Sequence, residues 1–384
     1  MNDTQVCPHA PGCGGCTYQG MPYTDELRLK EEAVLGLFEQ AGISMGSYLG
    51  AVCAPAVLEY RNKMEFAFGD NGIGAELALG VRMRRRYYEV ADASDCLLID
   101  GDVRKISAAV IDFFRRSGES FFHRKRKTGT LRHLVVRKAA FTGEILVNIV
   151  TTPELSNLSG FVELLVGLEL EGRLMGILHT QNSSVADVII TEKLHILYGQ
   201  PFITEHLLGL DFKISAFSFF QTNSAAAALL YKSVSEFAQC SPSDSLLDLY
   251  CGTGTITQIL APQVAQAVGV ESVGESVEAA RANAEANGLD NCRFVCGDVL
   301  KFMDNVHSAD ITVVDPPRSG VAPKALGKIL GLGSSRLVYV SCNPASFVRD
   351  LEILVSQGYT VEKTRLHDMF PRTAHIEAVC LLTL

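Results

Sequence analysis

Residues 246–250, LLDLY, run directly into 251–255, CGTGT. An apolar strand that ends in a glycine turn lets the backbone pass close beneath a ligand. The helix that follows offers the ligand its N-terminal NH groups. Outward from this point the chain alternates: a helix-like segment, strand AVGVES (267–272) and helix GESVEAARANAEANG (274–288). Strands CRFVCGD (292–298), DITVVD (310–315), RLVYVS (336–341) and IEAVCLLTL (376–384) complete the series. Apolar strands alternating with amphipathic helices predict an α/β unit over 209–384 with a largely parallel, doubly wound, Rossmann-like sheet.

Upstream the texture changes. Between 51 and 208 strands dominate: KMEFAFG (63–69), LRHLVVRK (131–138), GEILVNIVTT (143–152) and ADVIITEKLHILYG (186–199), with one helix over 102–116. This predicts a central α+β substrate domain. Residues 1–50 open on a Cys/Gly/Pro cluster and continue into a helix over 23–40. Its apolar stripe is Leu27, Val34, Leu37 and Phe38, and Gly42 is its stop signal. Internal repeats and low-complexity segments are absent from the sequence.

At 384 residues the chain exceeds one compact core, and 47% hydrophobic with 20% charged residues is ordinary globular composition. No run of about 20 uncharged apolar residues predicts a membrane span. The opening MNDTQVCPHAPGCGGC has neither a basic region nor an apolar run, so a cytoplasmic protein is expected. A net charge of -9 speaks against coating nucleic acid by bulk attraction. A local basic face is nonetheless available between Arg82 and Lys138. Runs RMRRR (82–86), RR (115–116) and HRKRK (123–127) predict a phosphate-binding surface there. Eleven cysteines, an odd number, argue against a disulfide framework and direct attention to metal binding and catalysis.

The glycine turn is shorter than G-x-G-x-x-G and has Thr257 where a third glycine would stand. Glu271 closes the next strand about 20 residues on, where a carboxylate accepts both ribose hydroxyls. Asp298 closes the third strand, Asp248 precedes the turn, and VVDPP carries Asp315 at the fourth strand end. Carboxylates at successive strand ends suit a sulfonium cofactor with a free amino group, which favours S-adenosylmethionine over a nicotinamide dinucleotide.

Cys342 lies in YVSCNPAS directly after an apolar strand, where Pro344 prevents simple continuation. That position puts a candidate nucleophile at the crevice mouth. Cys53, Cys240, Cys251, Cys292, Cys296 and Cys380 lack such context and are assigned to packing. Glu377 opens an otherwise apolar final strand, so burial would raise its pKa and suit it to proton removal. His375 is the alternative base. Asp315 and Arg318 stand where they could meet the substrate or the cofactor, and arginine after DPP points away from amine methylation. Near the start, Cys7, Cys13 and Cys16 form C-x5-C-x2-C, with Cys96 a candidate fourth ligand. Four thiolates suit either an iron–sulfur cluster or structural zinc.

Five stretches cover the C-terminal half in order: FSFFQTN (217–223), DLYCGTGT (248–255), VVDPPRSG (313–320), YVSCNPAS (339–346) and FPRTAHIEAV (370–379). As a set they resemble the signature of the RNA uracil-C5 methyltransferase family. The resemblance implies methylation of a uracil in RNA, with Cys342 as nucleophile and Glu377 as base. It also implies cofactor contacts from Gln221, Tyr250, Thr255, Glu271, Asp298 and Asp315. Thr255 departs from the family, which often has asparagine there. C5 of uracil is a poor nucleophile, and a thiolate adding at C6 pushes electrons into the ring. A base must then take the C5 proton so that the sulfur can leave. A paired uracil hides C6 and must be flipped out or taken from a loop, near aromatics such as Phe217, Phe219, Phe220 and Phe370.

The ribosomal-RNA branch of that family carries a 4Fe–4S cluster at this cysteine spacing. The likeness favours a cluster over zinc at Cys7, Cys13, Cys16 and Cys96, and 23S rRNA over tRNA as substrate. Uracil methylation has no redox step, so the expected role of the cluster is structural. Several family members begin with a small β-barrel that helps hold RNA. This chain starts almost at the cysteines, so the Arg82–Lys138 region is expected to supply most of the RNA affinity. No obligate protein partner is expected. Two rival readings, a small-molecule or protein methyltransferase and a non-enzymatic RNA-binding scaffold, would have no use for Cys342 as a nucleophile.

Overall fold

The computed structural model describes residues 5–72, 74–153, 155–186, 189–306 and 308–384. The chain opens with α1 (Tyr23–Ala41) and β1 (Ser47–Val52), followed by β2 (Lys63–Gly69), β3 (Ala78–Met83), β4 (Arg86–Asp92) and α2 (Gly101–Ser117). Next come β5 (Leu131–Lys138), β6 (Glu144–Thr151), α3 (Leu158–Val166), β7 (Arg173–Gln181) and β8 (Lys193–Gly199). The strand expected over 186–199 thus begins at Lys193; Asp187 and Val188 lie outside the described residues. Strands β2 to β8 form one sheet in the order β4-β3-β2-β5-β6-β7-β8, antiparallel except for the β6/β7 pair. Helix α2 starts where Asp100 accepts from the Val103 amide at 3.1 Å. It packs with α3 on one face of this sheet, over a core that includes Phe66, Phe68, Phe114 and Phe161.

A hairpin, β9 (Phe202–Leu207) and β10 (Leu210–Ser215), leads into α4 (Ser224–Ala238), and βα alternation follows. Its elements are β11 (Ser245–Leu249), α5 (Thr255–Leu260), β12 (Gln266–Glu271), α6 (Gly274–Ala286), β13 (Cys292–Cys296) and α7 (Val299–Phe302). The remainder is β14 (Ile311–Val314), α8 (Pro323–Gly331), β15 (Arg336–Ser341), α9 (Pro344–Ser356), β16 (Thr360–His367) and β17 (Glu377–Thr383). The second sheet runs β1-β16-β17-β15-β14-β11-β12-β13. Successive side chains point to opposite faces. Leu246, Val313, Val338, Val340 and Val379 therefore join the core under α4, while Leu247, Val314, Tyr339 and Cys380 join the core under α8 and α9. Both faces are buried, as the near-continuous apolar strands predict.

The sheet is not wholly parallel. β17 runs antiparallel to both β15 and β16. At the far edge β1 adds in parallel to β16. Neither β1 nor β16 is legible as a strand in the sequence reading. Although α1 and β1 follow the cysteine cluster, they pack on the C-terminal sheet, where Phe38 meets Phe347 edge-on at 5.8 Å.

The two sheets are joined by specific bonds. The Arg137 guanidinium, 2% exposed, donates to the carbonyls of Ala216 (3.1 Å) and Ser218. Asn62 donates to the Gln221 carbonyl (3.1 Å) and to Ser224 Oγ (2.7 Å). Buried Glu205 accepts from the Ala140 and Phe141 amides at 2.8 and 2.9 Å. A second tie binds the N-terminal loop and α1 to residues 368–373. Lys30 reaches Glu26 at 2.7 Å and Asp368 at 3.0 Å, and Arg372 Nη1 reaches Glu26 at 3.2 Å and the Met21 carbonyl at 2.6 Å. All four ionic side chains are at most 2% exposed. Two cations balance two anions, and removing one leaves a buried uncompensated charge. Arg372→Met should therefore cost about 3–5 kcal/mol of unfolding free energy, read by urea denaturation. A midpoint within error of the parent protein would contradict this.

Candidate active site

The glycine turn sits at the C-terminal edge of the second sheet. Tyr250 (φ 65°), Gly252 (φ 56°) and Gly254 (φ 71°) all have left-handed backbones. A Cβ at Gly254 would stand 2.4 Å from the Phe294 ring, so glycine is required by space as well as by φ. Gly254 caps α5, and Thr255 is its first residue. Glu271, at the end of β12, accepts from the amides of Gly252 (3.2 Å), Ser272 (2.7 Å) and Val273 (2.9 Å).

Around this turn opens a cavity of about 790 Å³, ample for a nucleoside cofactor and a base together. Among the residues expected to meet cofactor or substrate, Gln221, Tyr250, Thr255, Glu271, Asp315, Cys342 and Glu377 line it, as do Arg318 and His375. Asp298 does not. It is exposed and caps α7, accepting from the Lys301 amide at 3.0 Å. A strand-end aspartate followed by a helix answers to a capping role just as well as to a ligand contact, and sequence position cannot separate the two. Its charge still reaches Tyr250, whose hydroxyl is pushed up by burial first and by Asp298 next. Of the four aromatics, Phe219, Phe220 and Phe370 line the cavity, while Phe217 packs against the core. Cys251, assigned to packing, also contributes to the wall.

The register of the sheet brings Cys342 and Glu377 together. In the antiparallel β15/β17 pair Ser341 lies opposite Ala378, so the chain leaves β15 at Cys342 beside the start of β17 at Glu377, and both residues line the cavity. Asn343 caps α9 and donates to the Arg318 carbonyl at 2.8 Å, which fixes the DPPR loop beside the cysteine. Arg318 Nη2 lies 3.2 Å from His375 Nδ1.

Buried acids dominate the electrostatics. Burial lifts Asp248 to about 7, even though Thr257 Oγ1 donates to it at 2.5 Å. Asp315 rises to about 7 through burial and then the charge of Asp248. Glu377 rises to about 8 through burial and then Asp315, with Arg318 pulling it back. Burial, Glu377 and Asp315 push the Cys342 thiol up to about 11, and Arg318 draws it down. His375 is lowered by burial and by Arg318, which favours the neutral ring. Sequence reading missed Tyr231, on α4. It is 5% exposed, lines the cavity and feels, after burial itself, the charges of Asp315, Glu377 and Asp248. Its signal was a lone aromatic ring at the end of AAAALLY (225–231), ten residues after Gln221.

A second, smaller cavity of about 190 Å³ is lined by Cys7, Cys13, Cys16 and Cys96, and it shares Gly15 and Arg61 with the first. Among the described residues no group of three or more His, Cys, Asp or Glu is arranged to hold a metal ion. Burial raises the thiols of Cys13, Cys16 and Cys96, the last to about 11. Also among the described residues, no helix is long and apolar enough to cross a membrane.

Residues 171–384 match the family described as tRNA (Uracil-5-)-methyltransferase. An uncharacterized RNA methyltransferase of Clostridium tetani is 45% identical over 97% of this chain and 82% of its own length. The chain belongs to the RNA uracil-C5 methyltransferase family. Another uncharacterized RNA methyltransferase of the family, from Halalkalibacterium halodurans, is 35% identical over 98% of this chain and 83% of its own. Among solved structures, the tRNA (uracil-54, C5)-methyltransferase of Pyrococcus abyssi in complex with S-adenosyl-L-homocysteine superposes with a TM-score of 0.80. It shows 29% identity over 97% of this chain and 85% of that one. Members of this family are S-adenosylmethionine-dependent enzymes that methylate uracil in RNA, and the chain is one of them.

The cavity fits that cofactor: among the described residues buried Asp248 Oδ1 has no hydrogen-bond partner, and the strand-end acids suit a ligand carrying sulfonium and ammonium groups. Asp248 and Asp315 titrate near 7 in the free protein, and a cationic ligand favours their ionised forms. Cofactor binding should therefore release protons at about pH 6.5 and weaken as pH falls from about 8 to 6. Titration calorimetry in phosphate and in a high-ionisation-enthalpy buffer tests this; equal heats in the two buffers would rule it out.

Proposed function

We propose that the thiolate of Cys342 adds to C6 of a uracil extruded from RNA, which makes C5 nucleophilic, and that Glu377 then removes the C5 proton so that the sulfur can leave. The observation that carries this reading is the convergence of Cys342, just past the end of β15, and Glu377, at the start of β17, on the wall of the cofactor cavity. When bound, S-adenosylmethionine supplies the electrophilic methyl group. Gln221, Tyr250, Thr255, Glu271 and Asp315 are its proposed contacts. Asp298, which also caps α7 and whose charge reaches Tyr250, is the sixth proposed contact.

Both reacting groups work as anions, yet burial holds both protonated near neutrality. Arg318 is the cation that opposes this at each of them. Its proposed role is to favour the thiolate for attack and the carboxylate for proton removal. Its hydrogen bond to His375 makes that histidine an orienting group rather than the base.

The substrate we infer is 23S rRNA, supported by the cysteine loop. The likeness to the Pyrococcus abyssi tRNA enzyme favours tRNA as the second reading. Incubation with 5-fluorouridine-containing transcripts of each separates them. Fluorine cannot leave as a proton, so a covalent adduct should persist on denaturing electrophoresis, vanish in Cys342→Ala and map to one RNA class. An adduct that survives in Cys342→Ala would end this reading.

For the cysteine cavity we propose a 4Fe–4S cluster held by Cys7, Cys13, Cys16 and Cys96, with structural zinc as the alternative. Four thiols on one cavity of about 190 Å³ support it. The thiols of Cys13, Cys16 and Cys96, raised by burial, need a cationic centre to ionise at neutral pH. Its proposed role is to stiffen the N-terminal loop, whose Thr17 and Tyr18 amides bond the Arg372 carbonyl at 2.6 and 3.1 Å. We further propose a cytoplasmic enzyme working in three parts: 1–50 carrying the cluster, 51–208 presenting RNA, and 209–384 performing the chemistry. Anaerobically purified protein should contain about four irons and four sulfides per chain and absorb in the visible; one zinc and no sulfide would refute the cluster.

A further inference from the structure

Of the three basic runs between Arg82 and Lys138, the fold uses much of the charge internally. Arg132 donates to the carbonyls of Asn182, Ser184 and Ala186, at 3.1, 2.6 and 2.6 Å. Arg137 is buried at the junction of the two sheets, and Lys138 is paired with Asp100 and Asp102. Arg115 donates to the Leu77 carbonyl at 2.8 Å and to Asp92 at 3.3 Å. These side chains are structural.

What remains is confined to two tips. One is the β3–β4 turn with Arg84, Arg85 and Arg86; the other is the short hairpin of 123–128 with Lys125, Arg126 and Lys127. All six are exposed. The two tips meet in space, because Lys125 Nζ lies 4.5 Å above the ring of Tyr88, itself 60% exposed. Among the described residues, the side chains of Arg85, Arg126 and Lys127 meet no carboxylate. Arg86 pairs with half-buried Glu89 at 2.6 Å. His133 is held neutral, down to about 3, by burial and then by Arg132, Arg82 and Arg124.

The first tip is also continuous with the active site. Met83 bridges to Cys13, the Arg84 amide donates to the Gly12 carbonyl at 3.0 Å, and Arg84 Nη2 donates to the Cys16 carbonyl at 3.2 Å. Gly15, in the same loop, is part of the wall of the large cavity. A polyanion with one nucleotide in that cavity would pass Gly15 and reach the tips.

We infer that the Arg84–Arg86 turn and the Lys125–Lys127 hairpin form one phosphate-binding clamp for RNA lying outside the target loop. Tyr88 offers a face for an unpaired base between them. The inference rests on the RNA reading above but concerns a surface separate from the chemistry. Exposed cations around an exposed ring fit a phosphate backbone with unstacked bases.

The test is Arg85→Ser, Arg86→Ser, Arg126→Ser and Lys127→Ser combined, which spares Arg84 and its bond to the cysteine loop. Binding to a long unmodified 23S rRNA transcript is measured against salt, alongside turnover on a short stem–loop at saturating concentration. The slope of log affinity against log salt should shrink by about 3, at roughly 0.7–0.9 for each phosphate no longer neutralised. Affinity for the long RNA should fall at least about tenfold, with kcat on the stem–loop and cofactor binding unchanged. An unchanged slope and affinity would overturn the clamp, and so would loss of binding to an acidic protein with RNA binding intact. Failure of the functional reading is distinguishable from either, since the parent protein would then form no 5-methyluridine on any transcript.

Discussion

The reversal of β17 is the constraint on which the site depends. In a parallel sheet every strand ends at the edge where ligands bind, and every strand begins at the opposite edge. A residue that opens a strand therefore reaches the ligand edge only if its strand runs backward. β17 does so, pairing antiparallel with both β15 and β16. Glu377 at its start consequently faces Cys342 beyond the end of β15, and Asp315 beyond the end of β14 joins them.

That edge is built at an electrostatic cost. Asp248 and Glu377 are withdrawn from water, Asp315 is half-buried near them, and each is lifted well above the ordinary carboxylate range. Tyr231 adds a buried side chain that feels all three charges, and Arg318 is the compensating cation beside Cys342 and Glu377. A cationic cofactor completes the balance. Without it the acids hold protons, and the cavity is matched to a ligand that lets them go.

The segment from 368 to 377 links this chemistry to the rest of the molecule. Arg372 and Asp368 are locked to Glu26 and Lys30 of α1, and the Tyr60 hydroxyl donates to the Pro371 carbonyl at 2.8 Å. Phe370 packs with Tyr60, Cys16 and Cys96. The loop that leads into Glu377 is thus held by the N-terminal helix, the central domain and the cysteine cavity together, which is how distant sequence segments come to set one carboxylate.

Local pattern was enough for the parallel core. Strands such as LLDLY and RLVYVS are apolar on both faces, the glycine turn follows directly, and the carboxylates at strand ends announce a crevice. Cys342 and Glu377, the proposed reacting pair, stood out for the same reason, as polar residues at apolar strand ends. Only the tertiary structure decided the rest. β16, TVEKTRLH, is too polar along its length to read as a strand, and β1 is recognisable only through pairing with it. Asp298 had two local explanations, and the folded chain uses it as a helix cap. Several basic residues between Arg82 and Lys138 are spent on carbonyls and carboxylates far away in sequence. A side chain's composition sets what it can bind, but burial and long-range partners decide whether it is free to do so.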